Sequence, residues 1–211
     1  MVNLDDILGK ADVRTIAIVG CSKNSGKTTT MNHVLEDLYA SDGSVGVLSI
    51  GIDGEEADLW LGVPKPRVAV REGCLVATAD KALKGSTAQV RTVLRTGAVT
   101  ALGELIVVRV EKAGTLLLAG VRHKGDVRMI VEAMLKHQVS RVLIDGAYQR
   151  MMAADPDVSQ GVILATGAVL GRTVREVVRK TRMVLDRMTV PRIEDESDRA
   201  LLRDAVEHGR V

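Results

Sequence analysis

The chain has 211 residues, 46% hydrophobic and 27% charged, with 29 Lys and Arg against 27 Asp and Glu, which suits one large globular domain and excludes a disordered or collagen-like chain. No apolar run reaches the roughly 18 residues of a membrane helix, and the start Met1-Val-Asn-Leu-Asp-Asp6 lacks a signal peptide's basic region, so a single cytoplasmic domain over residues 1–211 is expected. With no Phe, one Trp and two Tyr, platforms for stacked bases are scarce, which argues against nucleic acid as a partner.

Arg14 to Gly20 is a short apolar run, the pattern of a buried parallel strand, and Lys27 to Ala40 follows with Met31, Val34, Leu35 and Leu38 at helical spacing. The loop between them, Gly20-Cys-Ser-Lys-Asn-Ser-Gly26-Lys27-Thr28, carries Gly-Lys-Thr at the helix start. It departs from the phosphate-binding pattern G-x-x-x-x-G-K-[ST] by one residue, with five positions between its glycines. The chemistry explains the residue types. Gly26 lets the backbone approach phosphates, the N–H groups of Asn24, Ser25, Gly26, Lys27 and Thr28 cradle them, and the helix dipole attracts the anion. Lys27 would reach the β- and γ-phosphates, Thr28 would offer its hydroxyl to Mg²⁺, and Thr29 would touch the α-phosphate. Lys23 is either a second ammonium for the transferring phosphoryl group or a solvent-facing loop lysine. Cys21 reads as a packing residue; neither it nor Cys74 has zinc-ligand spacing, and both are expected to be reduced.

Ser44 to Ile50 reads as a second buried strand and Gly51 to Glu56 as a polar loop, in which Asp53 is a candidate for binding Mg²⁺ or placing an attacking water, against a plain Asp-Gly turn. After Pro64 and Pro66, a β-rich insertion over about 65–120 holds runs at 68–70, 75–78, 104–110 and 115–119, the last two read as a hairpin around Glu111 to Gly114. A helix at 125–137 and the strand Arg141 to Asp145 resume the alternation. Asp145 ends that strand where an acid could orient Mg²⁺ or its water, against a loop-capping role before Gly146. A strand at 162–165, a long basic helix at 169–188 and a closing helix at 194–208 complete the chain. The expected fold is α/β, the three-layer P-loop NTPase arrangement with a mostly parallel central sheet. No Asn-Lys-x-Asp follows a late strand, and Ala165-Thr-Gly-Ala168 stands in its place, so ATP is favoured over GTP. His33, His123, His137 and His208 have no ligand spacing. Residues 1–64 hold four basic and ten acidic side chains and residues 65–128 hold twelve and five, so the middle is either a solvated basic surface or a face for an acidic partner.

Taken together, Ser22-Lys-Asn-Ser-Gly-Lys-Thr-Thr29, Ser49-Ile-Gly-Ile-Asp-Gly-Glu55, Glu72-Gly-Cys-Leu-Val-Ala-Thr-Ala79, Leu143-Ile-Asp-Gly-Ala147 and Ile163-Leu-Ala-Thr-Gly-Ala168 resemble the P-loop subunit of the lysine 5,6-aminomutase reactivase, over about residues 14–190. P-loop proteins with a signature lysine place it five residues before the conserved one, whereas Lys23 lies four before Lys27. The resemblance implies an ATP-driven, Mg²⁺-dependent helper of a cofactor-dependent aminomutase, working with that enzyme or a second reactivase subunit and turning over slowly without it. Two other classes remain open: a biosynthetic enzyme resembling dethiobiotin synthetase, and a nucleotide-binding regulator that does not hydrolyse.

Overall fold

The computed structural model describes residues 12–41, 44–51, 67–146, 151–189 and 195–208. The chain divides into two units, Met1–Leu170 and Gly171–Val211. The first unit contains β1 (Thr15–Gly20), α1 (Lys27–Ala40), β2 (Val45–Ile50), β3 (Val68–Val70), β4 (Leu75–Ala79), β5 (Gln89–Thr100), β6 (Gly103–Lys112), β7 (Gly114–Leu116), β8 (Gly120–Val121), α2 (Lys124–Lys136), β9 (Arg141–Gly146) and β10 (Gly161–Ala165). The second contains α3 (Val174–Met188) and α4 (Glu196–Glu207).

The main sheet runs β10-β1-β9-β2-β4-β6-β5, with β8 also beside β2. Pairing is parallel from β10 to β4 and antiparallel from β4 to β5, a mixed and mostly parallel sheet. Every residue of β1 is buried, as expected of a strand covered on both faces. Side chains alternate between those faces. Ile16, Ile18, Val45, Val47 and Leu143 share one core with Met31, Val34, Leu35 and Leu38 of α1. On the other face Gly46 admits α2, since a Cβ there would lie 2.8 Å from the sulfur of Met134.

The insertion differs from the expected arrangement. The hairpin is β5 with β6, closing at Thr100 and Gly103, while β7 pairs with β3. The cause is burial: Leu105 to Val108 and Val110 are buried, and β6 gains neighbours on both sides from β4 and β5. Val68, Val70 and Leu116 of the small sheet join the core under α1. The basic helix also starts later than expected. Thr173 caps α3 by accepting from the Glu176 N–H, and residues 168–170 form a separate 3₁₀ turn. Asp195 caps α4 through the N–H groups of Ser197 and Asp198. No residue of either helix is buried. Among the described residues no helix is long and apolar enough to cross a membrane.

Candidate functional site

The loop between β1 and α1 reverses direction through two left-handed residues, Asn24 (φ 59°) and Gly26 (φ 94°). Gly26 is the N-cap of α1, and open space surrounds the position of its absent Cβ, so its glycine serves backbone conformation. No side chain caps this helix and its first turn holds no acid. Its positive end and first N–H donors are thus left without a carboxylate from the helix itself. The first helical hydrogen bond runs from the Thr30 N–H to the Gly26 carbonyl, 2.9 Å.

Parallel pairing of β1 with β9 sets Ile18 in register with Asp145 and brings that carboxylate to the same end of the sheet. Lys27 Nζ donates to Asp145 Oδ1 at 2.5 Å, joining groups 118 residues apart in sequence. The two side chains are 25% and 21% exposed, so water screens the pair only in part. Ser49 on β2 donates to the Asp145 carbonyl, 3.4 Å. Thr28 is half-buried at the start of α1, Thr29 is exposed, and Lys23 and Asn24 are exposed in the loop. Ser25 is buried, its Oγ without a hydrogen-bond partner. Asp53 lies outside the described residues.

One contact had no signal in the sequence beyond a glycine after a strand. The turn following β10 lies directly against the loop: the Cys21 N–H donates to the Ala165 carbonyl at 2.9 Å, and Gly167 abuts the Ser25 backbone.

Elsewhere, Arg91 and Arg95 of the basic middle are ion-paired across the hairpin, with Glu111 and Glu104 respectively. Their charge is therefore partly answered within the chain. Lys124 donates to Asp155 and Asp157 at 2.7 and 2.8 Å; these hydrogen bonds to the two carboxylates raise the lysine's pKa, and its ammonium lowers that of Asp155. Among the described residues no three His, Cys, Asp or Glu gather as a metal site. Cys21 and Cys74 are free and buried. A cavity of about 260 Å³ is lined by Tyr39, Arg71 and Cys74 among others. Burial there pushes the Cys74 thiol up to about 12 and raises the Tyr39 phenol, while Arg71 stacks over the Tyr39 ring at 5.1 Å.

No family model, no curated protein and no solved structure matches this chain.

Proposed function

We propose that the chain binds Mg·ATP through residues 24–29 and hydrolyses it slowly. The observation that carries this reading is the Lys27–Asp145 pair. An ammonium at an uncapped helix start and a carboxylate at a strand end meet although 118 residues separate them. Phosphate oxygens suit the first group and the positive helix end. Mg²⁺ prefers oxygen ligands, and the Thr28 hydroxyl and Asp145 carboxylate are of that kind; bound there, the metal would neutralise charge on the phosphates. In this reading the N–H groups of residues 24–28 orient the phosphate chain, Lys27 exchanges Asp145 for the β- and γ-phosphates, and Thr29 reaches the α-phosphate. Lys23 and Asp53 are the proposed aids to phosphoryl transfer, one as a second positive charge and the other as a holder of metal or water.

The helper role, with an aminomutase or a second reactivase subunit as partner, rests on the sequence resemblance. Lys27→Ala should weaken Mg·ATP binding by about 10- to 150-fold, the loss of one or two charge-assisted bonds. Calorimetry giving unchanged affinity would remove the nucleotide assignment. Fast turnover with a small carboxylate or amine and no protein partner would assign a biosynthetic enzyme, and tight binding without hydrolysis a regulator.

A further inference from the structure

Ser25 is held between two glycines from opposite ends of the sequence. At Gly20, the end of β1, a Cβ would lie 2.6 Å from Ser25 Oγ. At Gly167, in the turn after β10, a Cβ would lie 3.1 Å from the Ser25 carbonyl oxygen and 3.5 Å from its carbon. Neither glycine has a left-handed φ, so backbone conformation does not demand a glycine at either place. Both instead permit close approach to one residue, which is only 4% exposed. The hydrogen bond from the Cys21 N–H to the Ala165 carbonyl ties the same two segments together.

We propose that Ser25 sets the height of the phosphate loop, held from one side by Gly20 and from the other by Gly167 of the Ala165–Ala168 turn, and with it the height of the N–H donors that follow. This rests on the Mg·ATP reading. Gly167 then acts through Ser25 on the phosphates and makes no contact with the base. A displacement of a few tenths of an ångström moves every cradle donor relative to the phosphate oxygens, a geometry to which binding and reaction are steeply sensitive.

Two ligands separate this role from base recognition: inorganic tripolyphosphate and ATP, each with Mg²⁺, titrated calorimetrically into the full chain. Gly167→Ala should weaken both by the same factor, about tenfold. Gly20→Ala should do likewise, and Gly20→Ala with Ser25→Ala should recover part of the loss, because Ser25 Oγ, the nearest obstruction, is gone while the Ser22 carbonyl 3.2 Å from the added Cβ remains. That rescue decides the matter even where Gly167→Ala fails to fold, since a general packing defect at Gly20 would not be cured by a second truncation. Loss of ATP binding with tripolyphosphate unchanged would overturn the proposal in favour of a base contact. Wild-type affinity for both ligands in the folded Gly167→Ala variant, or a double variant no better than Gly20→Ala, would also overturn it. A wild-type chain that binds neither ligand would instead overturn the nucleotide reading on which it rests.

Discussion

Lys27 is engaged by Asp145 at 2.5 Å, so on the Mg·ATP reading a phosphate competes with a carboxylate for it. Asp145→Asn removes the competing charge and should strengthen ATP binding in EDTA by about two- to tenfold, the net worth of one hydrogen bond, while Mg²⁺-dependent hydrolysis falls. Calorimetry with and without Mg²⁺ checks both signs; weaker binding under both conditions would count against the competition. A second residue-scale effect concerns pH. The Cys74 thiol, with an ordinary value of 9.0, is pushed up to about 12 by burial, and Tyr39 beside it is raised as well. Above pH 9 the unfolded chain releases the thiol proton and the folded chain retains it, so the unfolded state binds fewer protons. The contribution is therefore complete below about pH 9 and is lost as pH rises toward 12, with a slope approaching about 1.4 kcal/mol per pH unit. Urea unfolding at pH 8 and pH 10 should show the fall, and Cys74→Val should flatten it.

Hairpin closure between β5 and β6 depends on Gly103, whose φ is 99° and whose Cβ position is occupied by the Asp80 carboxylate. Gly103→Ala should destabilise the chain by about 1–3 kcal/mol, measurable as a lower urea midpoint, without changing Mg·ATP affinity at the distant loop. The same hairpin shows where sequence reading works and where it stops. Helix α1 is legible to the residue, because glycine, then Lys-Thr, then four apolar positions at helical spacing all favour one structure. Strand β5 is not: Gln89 to Thr100 is an edge strand rich in Thr and Arg and partly open to solvent, so it lacks a buried strand's continuous apolar run. The partner of β7 was equally hidden, since a short apolar run pairs with whichever strand the core brings near it. At the candidate site, Lys27 and Asp145 were each legible as residue types suited to phosphate and metal. Their meeting depends on the parallel pairing of β1 with β9, which spacing along the chain does not encode. The Ser25 and Gly167 contact is illegible for a stronger reason, as both sides of it are backbone.

At the scale of the molecule, a net charge of +2 conceals an acidic first third and a basic middle. Within that middle, Arg91 and Arg95 are ion-paired with Glu111 and Glu104 across the hairpin. No arginine lies in residues 20–29, and P-loop NTPases that lack such a charge turn over at about 10⁻⁴ to 10⁻³ s⁻¹. The purified chain should hydrolyse ATP in that range. If an acidic partner docks on residues 65–128, its stimulation should decline as salt rises past physiological strength, where exposed charges beyond about 8 Å are screened; steady-state assays across a salt series read both quantities. The order of strands carries a further consequence, for synthesis. Strand β1 sits between β9 and β10, pairing with residues 142–145 on one side and 161–165 on the other. As the chain leaves the ribosome, the loop that follows β1 emerges first, and both strands that flank β1 appear more than a hundred residues later. A nascent chain halted before residue 161 would carry every residue of the loop and lack one of the two strands that seat it, so on the Mg·ATP reading nucleotide cannot template the folding of this loop until β10 has been made.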